Sequence, residues 1–218
     1  MAGSYHEYFI KDGRHIGQYE EMYQNCPDPW HIEELGPRLD MKAALLLLAG
    51  QEKKVRRFLD IGAGLGLFTR LLTETIWREN PVAQGVITDI SATAIAGAEK
   101  RLKDPRLSFQ RLDVRNLTAT PFLAPESFDL LVMAQVLWGI LENLEETLER
   151  LASLLPAGGL FLISQHFMHS GQSYGAEIVS SPEELNGYLQ KAGFKIQNTL
   201  ETNRAVNHHW AALAVKAP

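Results

Sequence analysis

The feature that most constrains this chain is an apolar run that ends in an acid and breaks into three closely spaced glycines, Asp60-Ile-Gly-Ala-Gly-Leu-Gly66, followed by a helical pattern. Glycines there let a ligand approach the backbone without a Cβ in the way, beside the positive end of a helix. The turn is either a plain tight connection or the floor of a nucleotide-like site. In both cases it demands strands that feed directly into helices, and the flanking sequence reads that way.

Arg56 to Ile61 predicts the first strand, Phe68 to Trp77 a helix, Gln84 to Ile90 the second strand, and Ala92 to Leu102 a helix capped by Ser91. Leu107 to Leu112 predicts a third strand, and Phe128 to Ala134 a fourth, apolar enough to be covered on both faces. Leu144 to Leu155 follows as an amphipathic helix stopped by Pro156 and Gly158-Gly159, and Gly159 to Gln165 is the fifth strand. Such alternation predicts an α/β fold around a mostly parallel sheet. The tail changes rhythm. Ser181 caps a helix with Pro182 at its first position, Gly193 ends it, and the runs Phe194 to Thr199 and His209 to Val215 are too closely joined for a parallel crossover. They predict an antiparallel hairpin at the sheet edge.

Bulk properties narrow the partners. A chain of 218 residues, 45% apolar, buries a full core as one generous domain. Its formal net charge of -5 repels a polyanion, which argues against nucleic acid, and the basic stretch Lys53, Lys54, Arg56 and Arg57 reads as a solvated face. Cys26 is alone, so neither a disulfide nor a multi-cysteine metal site is expected. The apolar stretch Ala43 to Ala49 is far short of the roughly 20 residues of a membrane span, and the N-terminus lacks the pattern of a secretory signal. A cytoplasmic protein without a membrane partner is the expectation; the oligomeric state is left open.

Spacing separates two ligand classes. A dinucleotide site wants G-x-G-x-x-G, and here the third glycine comes one position early, with Leu67 where the last glycine should stand. Asp60 suits a ligand that carries an ammonium group and no phosphates, which favours an adenosyl amino acid over a nicotinamide dinucleotide. Asp89, closing the second strand, is placed to accept hydrogen bonds from ribose hydroxyls, or else simply neighbours the Ser91 cap. Asp113 could accept from an adenine amino group while the Val114 amide donates to the ring, or be an ordinary turn aspartate.

With these residues in hand the chain resembles the class I S-adenosylmethionine-dependent methyltransferases from Lys42 to Val215. DIGAGLGLFT, GVITDIS, LSFQRLDVRNL, FDLLVMAQVLWGI, LLPAGGLFLIS and SPEELNGYLQKAGF look like the family's motifs in order. The resemblance implies a Rossmann-like seven-stranded sheet whose final antiparallel strand inserts between the fifth and sixth. It implies S-adenosyl-L-methionine as cofactor, with Asp60, Gly62, Ala63, Gly64 and Gly66 around the methionine part. Asp89 and Ile90 would hold ribose and adenine, Asp113 and Val114 adenine, and Gln135 would line the cofactor. Where many small-molecule members have a histidine after the fourth strand, this chain has Leu137-Trp138-Gly139, and it lacks the N/D-P-P-Y/F signature of base and glutamine N-methylation.

Residues 1–38, rich in aromatics, are expected to cap the cofactor and acceptor site of a methyltransferase domain spanning 39–218, or else to use those aromatics merely to staple a helical cap onto the core. The segment around Asp28-Pro-Trp30 is similar to the corresponding region of NodS-like enzymes, which N-methylate a glucosamine-based oligosaccharide. The expected reaction is methyl transfer to N or O of a small molecule, a sugar or sugar-containing metabolite among them. A non-catalytic cofactor-binding regulator of the same fold is the alternative. Trp30, Trp138, His169 and His208 are candidate acceptor contacts, and His166, following the fifth strand, is the candidate base, with His209 also near the ligand end. No metal is expected, since these histidines lack a carboxylate at helical spacing.

Overall fold

A computed structural model describes residues 6–12, 14–36, 38–51, 53–117, 122–168, 174–203 and 207–218. Seven strands form one sheet: β1 (Arg57–Ile61), β2 (Gln84–Asp89), β3 (Leu107–Arg111), β4 (Leu130–Ala134), β5 (Leu160–Met168), β6 (Phe194–Asn203) and β7 (Asn207–Lys216). Their order is β3-β2-β1-β4-β5-β7-β6. The first five run parallel, and β7 pairs antiparallel with both β5 and β6. The C-terminal hairpin and the inserted last strand expected from the sequence are thus present. The order reverses between β1 and β4, and crevices at such switch points are where open α/β sheets bind ligands.

Helices cover both faces: α1 (Tyr19–Asn25), α2 (Leu39–Ala49), α3 (Leu67–Glu79), α4 (Ala92–Leu102), α5 (Leu144–Ser153) and α6 (Pro182–Lys191). Side-chain alternation along β1 explains the two cores. Leu59 and Ile61 join Leu148, Leu151, Phe161 and Trp210 on one face. Phe58 joins Met41, Leu47, Phe68 and Leu72 on the other. The stretch Ala43 to Ala49 belongs to α2, which lies across β5, β7 and β6. Among the described residues no helix is long and apolar enough to cross a membrane.

Local signals read correctly at the helix starts. Ser91 Oγ accepts from the Ala94 amide, and Ser181 Oγ accepts from the Glu184 amide with Pro182 in the first turn. One boundary differs with consequence. β5 continues to Met168 because β7 pairs with it that far, so His166 lies inside the strand opposite His209 rather than after it.

Glu20 ties the N-terminal segment to the start of α4, beside the Glu33–Arg101 ion pair and the packing of Met22 and Tyr23 on Ala94. Glu20 in α1 reaches the start of α4, where its carboxylate accepts from Ser91 Oγ (2.7 Å), Thr93 Oγ1 (2.6 Å) and the Thr93 amide (3.2 Å). These bonds from Thr93 and Ser91 pull its pKa down to about 2. A depressed folded pKa makes the contribution present above about pH 4.5 and lost as pH falls through about 2. Glu20→Ala is expected to speed proteolysis of residues 1–38 about tenfold at neutral pH while the sheet stays resistant. Equal cleavage rates in the two proteins would show that the anchor is dispensable.

Candidate functional site

The C-terminal ends of β1, β2, β4 and β5 converge on a cavity of about 310 Å³, at the small end of the range for small-molecule sites. The glycine turn forms one wall. Gly62 (φ 69°) and Gly64 (φ 55°) take left-handed conformations. A Cβ on Gly62 would lie 2.4 Å from Val136 Cγ2, and one on Gly64 2.7 Å from the Tyr23 hydroxyl. Gly66 does different work from that expected. It is absent from the cavity wall, and its bare Cα lets α4 pack close, a Cβ there falling 3.1 Å from that of Ala98. The early third glycine serves helix packing, as the last glycine of a dinucleotide motif does.

Two buried carboxylates face the cavity. Asp60 accepts from Thr69 Oγ1 at 2.6 Å, and Asp89 accepts from the Gly64 and Ser91 amides, each at 2.9 Å. Burial pushes Asp60 up to about 7, against the Thr69 bond and helped by the Asp89 charge. Burial likewise pushes Asp89 up to about 6. A pyrophosphate would meet two carboxylates here, whereas an ammonium and ribose hydroxyls would satisfy both. The residues therefore fit an adenosyl amino acid.

Ala63, Ile90, Asp113, Val114 and Gln135, the other residues expected at the cofactor, also line the cavity. Asp113 is already held: its oxygens accept from Arg115 Nε (2.9 Å) and Nη2 (2.7 Å), which lowers its pKa. Oδ1 also accepts from the Arg115 backbone amide (3.1 Å), so Oδ2, with a single partner, keeps a lone pair for a ligand donor.

Of the acceptor candidates, Trp30 and Trp138 reach the cavity; Trp30 Nε1 donates to the Tyr23 hydroxyl at 2.9 Å. His208 does not. It sits 2.7 Å from Glu201 across the C-terminal hairpin, away from the cavity wall, because neighbouring strand residues face opposite sides. His169 lies outside the described residues. Tyr19, Tyr23 and Arg38 complete the N-terminal wall.

His166 lines the cavity edge-on to Trp138, with ring centroids 6.5 Å apart. Its Nδ1 lies 2.7 Å from Gln135 Oε1. Gln135 Nε2 donates to Asp40, and Asp40 Oδ1 is 2.8 Å from His209 Nδ1. Burial, then the charges of Arg38 and His209, lower the His166 pKa to about 3, so its imidazole is neutral across the working range. Sequence reading missed Asp40, whose only local signal is an acid in the first turn of a helix. Among the described residues no group of three or more His, Cys, Asp or Glu could hold a metal ion.

Residues 59–161 match the family model described as "Methyltransferase domain". Among solved structures, the N-methyltransferase NodS from Bradyrhizobium japonicum WM9, in complex with S-adenosyl-L-homocysteine, is similar at a TM-score of 0.71 and 20% identity, over 92% of this chain and 98% of that one. The [4+2]-cyclase SpnF is similar at 0.64 and 16%, over 79% of each chain. These likenesses establish the fold. Among curated proteins, the highly reducing polyketide synthase azaB of Aspergillus niger is 28% identical over 129 residues, 56% of this chain and 5% of that protein. The hybrid synthetase lepA of Aspergillus flavus is 36% identical over 109 residues, 49% of this chain and 3% of that protein. The chain thus spans a few per cent of the length of these relatives.

Proposed function

We infer an S-adenosylmethionine-dependent methyltransferase acting on N or O of a small molecule, a reading supported by the class I methyltransferase fold and by the match of residues 59–161 to a methyltransferase-domain model. The observation that carries this reading is the pair of buried carboxylates, Asp60 and Asp89, flanking a glycine turn with no room for side chains. When bound, S-adenosylmethionine supplies an electrophilic methyl group on a positively charged sulfur. Asp60 and the turn through Gly62, Ala63 and Gly64 hold the amino acid end, Asp89 takes the ribose hydroxyls, and Ile90, Asp113 and Val114 hold the adenine. The N-terminal segment caps the site through Tyr19, Tyr23 and Trp30, which exclude water from the cavity they line. His166 is the base candidate, and Trp30 and Trp138 offer faces for a ring, a sugar or a phenol alike. Positioning within about 3–3.5 Å supplies much of the acceleration in such a closed site.

Turnover of labelled S-adenosylmethionine against a panel of amino sugars and phenols tests the reading, and transfer of label is the expected result. Tight binding of S-adenosylhomocysteine without transfer to any acceptor would favour the cofactor-binding regulator. Binding of NADH and not of S-adenosylhomocysteine would overturn both.

Cofactor binding should depend on pH. Asp60 and Asp89 have folded pKa values of about 7 and about 6, above the 3.8 of an exposed carboxyl. The empty protein therefore loses stability as pH rises through that window, while affinity for a cationic ligand, which needs the ionised forms, rises over it. Calorimetry is expected to find S-adenosylmethionine binding at least about tenfold weaker at pH 5.5 than at pH 8, with proton release on binding at the lower pH. A flat profile would show that neither carboxylate meets the cation.

A further inference from the structure

We propose that Asp40 is a positioning residue that acts through Gln135 to hold His166 in the tautomer protonated on Nδ1, leaving the Nε2 lone pair for a hydroxyl acceptor. The inference rests on the methyltransferase reading above. The Asp40 side chain is fully buried in the first turn of α2, with Arg38 Nε 3.7 Å and His209 Nδ1 2.8 Å from Oδ1. Its other oxygen receives Gln135 Nε2. A carboxylate only accepts hydrogen bonds, so it orients the Gln135 amide with the NH2 toward itself and Oε1 toward His166. An amide oxygen also only accepts, so the proton of neutral His166 must sit on Nδ1, 2.7 Å away. Nε2 is then the bare nitrogen of a residue on the cavity wall.

The backbone carries a second sign of this arrangement. Gln135 makes its link at a φ of 63°, a left-handed conformation costly for a residue with a side chain. Strain of this kind persists where the surroundings hold a side chain in place, as Asp40 and His166 do here. The backbone N–H of Gln135 is fixed as well, donating to Ser164 O at 2.9 Å.

A dedicated, oriented base marks an acceptor that must lose a proton as it reacts, which a hydroxyl does and a free amine does not. The acceptor oxygen bonds the methyl carbon while its own proton passes to Nε2, and the electron pair of the broken carbon–sulfur bond stays on sulfur. Water later removes the proton from the imidazolium. Arg38 and His166 line the same cavity, and the Arg38 charge favours a developing oxyanion, as of a phenol or enol, over an ammonium group.

Nitrogen-15 NMR of the full chain with S-adenosylhomocysteine bound reads the tautomer directly. His166 is expected as the Nδ1–H form. In Asp40→Asn the obligatory donor Arg38 holds the side-chain oxygen on its own side, so the new NH2 faces Gln135 and donates to Oε1, the Gln135 side-chain amide turns over, and its NH2 forces His166 into the Nε2–H form. Methyl transfer to phenols should fall about 100-fold, with S-adenosylhomocysteine affinity within about threefold of the parent. In the double variant Asp40→Asn with Gln135→Glu, the carboxylate accepts from both neighbours. The Nδ1–H form should return, and at least tenfold of the lost transfer with it. An Nε2–H form in the parent protein overturns the proposal whether or not the variants fold. So does Asp40→Asn with tautomer and transfer both unchanged. A parent protein that fails to bind S-adenosylhomocysteine instead overturns the methyltransferase reading itself.

Discussion

Replacing Asp89 by alanine is expected to weaken S-adenosylhomocysteine binding about 10³-fold, measured by calorimetry. Its carboxylate lines the cavity and accepts the Gly64 amide on one oxygen and the Ser91 amide on the other, which orients it for further donors. Two charge-assisted bonds from ribose hydroxyls, each worth roughly 1.5–3 kcal/mol in a water-poor site, account for an effect of that size. Alanine also orphans the Gly64 amide, so the turn that must meet the ligand loses its tether. Asp89→Asn separates the two contributions. It keeps the shape and one acceptor for the turn but loses the charge, and is expected to cost about tenfold. Unchanged affinity in the alanine variant would remove Asp89 from the ribose site.

The second large effect falls on stability. Trp210 is 1% exposed and is the largest of the fully buried side chains. It stands on β7, between β5 and β6, with its ring 6.5 Å from that of Phe167. Trp210→Ala removes a large apolar volume from the middle of one core, where strands paired on both sides cannot collapse into the gap. A loss of about 3–5 kcal/mol is expected, seen as a lower urea midpoint at unchanged slope. A loss under about 1 kcal/mol would mean that the face repacks far more readily than cores of this density do.

Both predictions concern residues of which the sequence revealed different amounts. Asp89 was legible because its evidence is local: an acid closing an apolar strand, about 20 residues past a glycine turn, is a pattern along the chain. Trp210 was legible as part of a strand, but its weight in the core follows from β7 standing between two other strands. The extension of β5 to Met168 likewise depends on pairing with Asn207, and it moved His166 from a loop into the sheet. His208, expected at the acceptor, faces Glu201 instead, since which side of the hairpin a strand residue takes depends on the register.

By itself, the sequence determined the alternation of strands and helices, the caps at Ser91 and Ser181, the position of the glycine turn, and the carboxylates at the strand ends. All of these arise between residues near one another in the chain, where periodicity and turn chemistry operate. Only the tertiary structure decided that Gly66 serves packing, that Tyr23 and Glu20 close over the turn and the start of α4, and that Asp40, Gln135, His166 and His209 meet. Those contacts join segments up to 169 residues apart. They depend on strand order and register to within about an ångström, and hydrophobic patterning specifies which face a residue takes without specifying which distant side chain it will meet there.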